Sequence, residues 1–200
     1  MSALDNYLDT YRDGGIYEKM HYGTPYVSKG VKFARFLKPY LKPNSKVLCI
    51  GCGNGFEVIE YLNQGHEAYG TEVHSIDVPI LKGRIVNAVV PHLPFADKTF
   101  DLLHCTEVLE HIPRDSTPAF LNECKRVSKA HFFSLATEDD YDHTHINLND
   151  ISWWYTAFTE AGFNITNFQY KPILPAWVNG NEGFTVQYNA GITLYADGHC

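Results

Sequence analysis

Val47-Leu48-Cys49-Ile50-Gly51-Cys52-Gly53-Asn54-Gly55 runs from an apolar segment into a loop with glycine at every second position. The run 46–50 is short, apolar and flanked by turn residues, so it predicts a buried strand. After Gly55, the residues Val58, Ile59 and Leu62 fall on one helical face, and Gly65 is a stop signal. A strand, a glycine loop and a helix make a ligand site. Glycine lets the backbone take positive φ and lets a ligand approach closely. The start of the following helix offers free N–H groups and a positive dipole end to an anion.

Outward from the loop, the apolar periodicity predicts strands over 66–72, 84–88, 100–105 and 130–136, with a helix over 27–41 before the loop. Thr117-Pro118 reads as cap and first position of a helix to about Ser128, and 151–161 as a helix closed by Gly162. Residues 163–170 and 184–195 read as two late strands that should pair antiparallel at one edge. Strands that alternate with helices argue for a parallel α/β sheet with right-handed crossovers. Glu72 lies 21 residues after Gly51, at the predicted end of the second strand. A carboxylate there can accept both hydroxyls of a ribose, so the spacing points to an adenosine ligand. The dinucleotide fingerprint needs its third glycine at the position of Phe56, which argues against a nicotinamide cofactor.

The chain has 200 residues, with 16 Lys and Arg against 23 Asp and Glu, a net charge of −7. No basic run is present, which argues against a nucleic-acid partner. No apolar stretch reaches membrane length, and the start lacks the apolar core of a signal peptide. The five cysteines, an odd count without a secretory signal, read as reduced thiols in the cytoplasm. Cys49-x-x-Cys52 is a thiol pair by spacing, but its place in a strand and turn argues against redox or metal chemistry.

Several further segments carry a resemblance. The glycine stretch resembles the first motif of class I S-adenosylmethionine-dependent methyltransferases. Leu93-Pro94-Phe95-Ala96-Asp97-Lys98-Thr99-Phe100-Asp101 is similar to their "LPF-x-D-x-x-FD" segment, and Val108-Leu109-Glu110-His111 to the "VLEH" beyond it. Glu123-Cys124-Lys125-Arg126-Val127 resembles "E-x-x-RV", and Ala161-Gly162-Phe163 resembles "AGF". The order is the family's over roughly 46–170, closest to the small-molecule "type 11" branch. The resemblance implies a Rossmann-like, three-layer α/β/α fold. Its sheet would have seven mostly parallel strands, the last antiparallel, in one domain over 1–200: a cap segment and helix over 1–45 and a core over 46–200.

By position, the resemblance implies S-adenosylmethionine as cofactor. Gly51, Cys52, Gly53 and Gly55 would serve its methionine side, Glu72 its ribose, and Val73, Asn87 and Ala88 its adenine. Cys105 and Thr106 would border the methionine moiety, with His111 a further contact. An N-terminal tyrosine (Tyr22, with Tyr11 and Tyr17 as alternatives) would cap the site. The family has an acid where this chain has Cys49.

The implied reaction is in-line methyl transfer to a small-molecule acceptor. Amino-methylating enzymes carry Asp/Asn-Pro-Pro-Tyr/Phe where this chain has Cys105-Thr106-Glu107, which argues against DNA bases and glutamine. The loop 137–147 follows the fifth strand and would lie over the site. His145 and His143 are its candidates for binding the acceptor or taking its proton, since imidazole titrates near neutrality. A divalent cation on Asp139, Asp142 and His143 is conceivable, but the spacing is not diagnostic and no metal is assigned. The alternatives are a non-catalytic S-adenosylmethionine-binding protein of the same fold and a nicotinamide-dependent oxidoreductase.

Overall fold

The computed structural model describes residues 29–74, 78–137, 143–170 and 191–196. Tyr11, Tyr17, Tyr22, Asp139 and Asp142 lie outside the described residues.

Five parallel strands form the core of the sheet: β1 (Lys46–Ile50), β2 (Glu67–Glu72), β3 (Ile85–Asn87), β4 (Phe100–Thr106) and β5 (Ser128–Ala136). β1 pairs with β2 on one side and with β4 on the other. Two more strands, β6 (Ile165–Tyr170) and β7 (Gly191–Ala196), extend the sheet past β5. The order is β3-β2-β1-β4-β5-β7-β6, and β7 runs antiparallel to both β5 and β6.

Both faces of the sheet are covered, and alternate residues of β1 show how. Val47 and Cys49 join a core with Phe33, Ala34 and Leu37 of helix α1 (Lys29–Leu37) and with Val58 and Tyr61 of α2 (Phe56–Asn63). Leu48 and Ile50 join the opposite core with Phe120, Leu121 and Cys124 of α3 (Thr117–Val127) and with Trp154 and Phe158 of α4 (Ile151–Glu160). Strands buried on both faces read as continuous apolar runs, which is why β1 is apolar from Val47 to Ile50.

Three of the boundaries that differ from the sequence reading have a local cause. α1 ends at Leu37 and passes into a 3₁₀ turn over Lys38–Tyr40, because Pro39 cannot donate within a helix. Ser116, not Thr117, is the cap of α3; a 3₁₀ turn over Arg114–Ser116 precedes it. Thr117 is instead buried, and its Oγ1 accepts from Asn147 Nδ2 at 3.1 Å. β5 begins at Ser128, whose Oγ donates to the Cys124 carbonyl at 2.8 Å and so ends α3 while opening the strand.

Two of the sequence segments turn out to be clamped together. Arg126 donates to both carboxylate oxygens of Glu123 at 2.7 and 2.8 Å and to Asp97 Oδ1 at 2.8 Å. It also donates to the carbonyls of Phe95 and Leu93 at 2.7 and 3.1 Å. Glu123 Oε1 takes the Leu93 N–H at 2.8 Å. The fork geometry of guanidinium suits this role, and lysine could not fill it. Among the described residues, no helix is long and apolar enough to cross a membrane.

His104 sits inside β4, with Nδ1 2.9 Å from Tyr61 Oη and Nε2 2.7 Å from Thr106 Oγ1. One ring nitrogen donates and the other accepts, so the neutral ring satisfies both neighbours. Burial lowers its pKa to about 3. The unfolded chain therefore binds a proton here that the folded chain refuses, and stability falls as pH drops from the ordinary histidine range toward 3. Between pH 6.5 and 4.5 the wild type should lose about 2–3 kcal/mol more than His104→Gln. Urea titrations of both proteins at the two pH values measure the difference.

Candidate functional site

A cleft, partly open to solvent, lies at the carboxyl ends of β1, β2 and β4. Its walls include Gly51, Glu72, Val73, Ala88, Val108 and His111.

The floor is the glycine loop. Gly51, Gly53 and Gly55 have φ of 62°, 50° and 75°, a left-handed backbone that strains other residues. Gly51 also lacks space: a Cβ there would meet Val108 Cγ2 at 2.5 Å. The Cys52 N–H donates to the Thr71 carbonyl at 3.0 Å, tying the loop to β2. Gly55 is the N-cap of α2.

Glu72 ends β2 and is buried. Its Oε2 accepts the Gly53 N–H at 2.8 Å and its Oε1 accepts the Val73 N–H at 2.7 Å. His74 Nδ1 lies 3.3 Å from Glu72 Oε1. The carboxylate is thus fixed in direction between the loop and its own strand end. Asn87 Nδ2 donates to the Val73 carbonyl at 3.3 Å, joining the ends of β2 and β3.

The opposite wall follows β4. Glu107 has φ of 56°, its N–H donates to the Ser134 carbonyl at 2.8 Å, and its Oε1 accepts from Ser134 Oγ at 3.3 Å. Next comes a 3₁₀ turn over Leu109–His111. The segment after β5 is stitched to this turn: Ile146 and Asn147 donate their N–H groups to the Glu110 carbonyl at 3.0 and 2.9 Å. Asn147 Nδ2 donates to the Leu109 carbonyl at 3.2 Å, and Glu110 Oε1 accepts the Ala136 N–H at 3.0 Å. The stitching brings the half-buried His145 ring to 4.6 Å from that of His111, centroid to centroid.

Of the residues singled out from the sequence, Gly51, Glu72, Val73, Ala88 and His111 line the cleft. Gly53 meets it through Glu72. Asn87 is exposed and does not line the cleft. Cys52 turns its thiol under β2, against Gly70, into the core of α1 and α2. Cys105 is buried in the other core, and Thr106 is engaged with His104. Burial pushes the Cys49, Cys52 and Cys105 thiols well above their usual range, which makes them inert. Cys49 itself lies in the core beneath α1 and α2, off the cleft lining. His143 is exposed.

The sequence reading missed Ile50, Thr71, Val90, Glu107, Val108, Ile112 and Phe120 as lining residues. Ile50 and Val108 stood inside the quoted segments, so the signal was present. Nothing local marks Phe120, which enters from α3.

The description "Methyltransferase domain" belongs to the family model that matches residues 48–131. An uncharacterized protein of Methanocaldococcus jannaschii is 36% identical over 129 residues, covering 61% of this chain and 55% of that protein. The chain thus spans about half the length of this curated relative. A similar structure is the 1,6-didemethyltoxoflavin-N1-methyltransferase of Burkholderia thailandensis, crystallised with 1,6-didemethyltoxoflavin and S-adenosylhomocysteine. Its TM-score is 0.69 at 16% identity, over 96% of this chain and 85% of that one. A Methanosarcina mazei S-adenosylmethionine-dependent methyltransferase gives a TM-score of 0.64 at 16% identity, over 80% of this chain and 95% of that one. Sheet order, the glycine loop and the acid at the end of β2 accompany that match: residues 48–131 are similar to the type 11 methyltransferase domain, and the chain has the fold of S-adenosylmethionine-dependent methyltransferases.

Proposed function

We propose that this protein transfers a methyl group from S-adenosylmethionine to a small-molecule acceptor by in-line displacement. The observation that carries the reading is Glu72: a buried carboxylate at the end of β2, in the lining of the cleft, each oxygen fixed by a backbone N–H group. Its oxygens suit the two hydroxyls of a ribose. Val73, Ala88 and Val90 offer an apolar slot for an adenine, and the backbone of Gly51 and Gly53 leaves room for the methionine part. The donor set fits the family's cofactor, which when bound supplies an electrophilic methyl on a sulfonium.

Most of the rate in such a displacement comes from holding the acceptor in line and at contact distance. In this chain Val108 and His111 of the cleft wall, with the His145 ring packed against His111, are the groups that would orient the acceptor. His143, being exposed, would act only at the rim. A small acceptor accords with the net charge of −7 and with the small-molecule substrate named for the Burkholderia thailandensis structure, rather than with nucleic acid or a membrane surface. Cys49, Cys52, Cys105 and Cys124 are free thiols, in keeping with a cytoplasmic setting.

Calorimetric titration with S-adenosylhomocysteine tests the cofactor assignment, with NAD as the contrasting ligand. The wild type should bind the first and not the second. Glu72→Ala should weaken binding at least about 10-fold, since hydrogen bonds to a charged group contribute about 1.5–3 kcal/mol each. Glu72→Gln keeps an acceptor oxygen and should lose less. Wild-type affinity in both variants would mean that the carboxylate does not hold the ligand.

Gly53→Val should abolish S-adenosylhomocysteine binding. A β-branched side chain at φ of 50° is strained and fills the approach to the cleft. The measurement is made on protein whose circular dichroism matches the wild type, and retained affinity would remove the loop from the site.

A further inference from the structure

We propose that Glu110, His111 and His145 form a binding site for one divalent transition-metal cation at the wall of the cleft. Each of the three offers a ligand atom, and these atoms lie within 4.8 Å of one another. Metal–nitrogen and metal–oxygen bonds of about 2.1 Å set neighbouring donors about 3–3.5 Å apart, so side-chain shifts of about 1 Å close the set on a cation.

The surroundings are those of a prepared ligand set. The Glu110 side chain is fully buried and His111 is 5% exposed, so a positive ion between them offsets the cost of placing a carboxylate in the interior. His111 Nδ1 lies 3.2 Å from the Thr144 carbonyl and 3.1 Å from Thr144 Oγ1. A carbonyl can only accept, so it takes the Nδ1–H and leaves Nε2 with its lone pair. This is the outer hydrogen bond that ligating imidazoles use to fix their tautomer. Glu110 is oriented in the same way by the Ala136 N–H, at 3.0 Å from Oε1. The Ile146 and Asn147 N–H groups hold the third residue's segment on the Glu110 carbonyl, so the set is assembled before any ion arrives.

The donor types choose the ion. Two imidazoles and one carboxylate favour Mn²⁺, Fe²⁺, Co²⁺ or Zn²⁺ over Mg²⁺ or Ca²⁺. Three protein donors leave positions for water or for an oxygen of a bound compound. Because His111 also lines the cleft, those positions border the space assigned to the acceptor. Resting on the methyl-transfer reading, this makes the acceptor a hydroxyl compound and His145 a ligand rather than a proton acceptor.

Cobalt serves as probe, because its visible d–d absorption reports the ligand set directly. The full chain, freed of metal with a chelator, should take up one equivalent of Co²⁺, and Zn²⁺ should displace it. Glu110→Gln keeps an oxygen for the Ala136 N–H but loses the charge, and His145→Ala removes one ring. Each should weaken Co²⁺ binding at least about 10-fold, the loss that outer partners of metal ligands alone can cause. His92→Ala, at an exposed histidine away from the cluster, should leave it unchanged. S-adenosylhomocysteine affinity in His145→Ala should match the wild type, which separates the two sites. No saturable Co²⁺ uptake by the wild type, or equal uptake in the Glu110 and His145 variants, overturns the proposal. Co²⁺ binding in a protein that fails to bind S-adenosylhomocysteine would support the metal site and remove the methyl-transfer reading.

Discussion

β1 is hydrogen-bonded to parallel strands on both sides, β2 on one and β4 on the other, and everything at the site follows from that placement. The chain leaves β1 and crosses over α2 to β2; it leaves β4 and crosses over α3, on the opposite face, to β5. The two exits therefore part at the carboxyl edge of the sheet, and a crevice must open between them. The glycine loop floors that crevice because β1 ends there. Glu72 and Glu107 reach it because the neighbouring strands end at the same level.

Hydrogen bonds then turn a topological gap into a shaped one. Glu72 binds the loop to the second strand, and the Glu110 carbonyl binds the segment after the fifth strand to the turn after the fourth. The Arg126 clamp works on the other flank, holding the segment before β4 against the end of α3. Its residues stay away from the cleft, so that pair of motifs is explained by architecture and not by chemistry.

The parallel core was legible in the chain because apolar runs bounded by glycine and turn residues leave little ambiguity about strands. The loop and Glu72 were legible because a glycine at positive φ and an acid at a strand end are local signals. What escaped depends on distant partners. The orientation of Cys52 is set by left-handed backbone at the glycines on either side, which swings its thiol beneath β2. The meeting of His111 with His145 requires hydrogen bonds between residues some three dozen positions apart. No spacing rule announces such a bond. The cap of α3 moved by one residue for a similar reason: Thr117 was claimed by Asn147.

Glu107 is placed against its own backbone preference. A side chain other than glycine at φ of 56° costs about 1–2 kcal/mol, and asparagine or glycine would sit there more comfortably. Either replacement at this position would relieve the strain. A carboxylate kept at this bend, in the wall of the cleft, marks a position where thermal endurance and the acidity of the cleft pull in opposite directions.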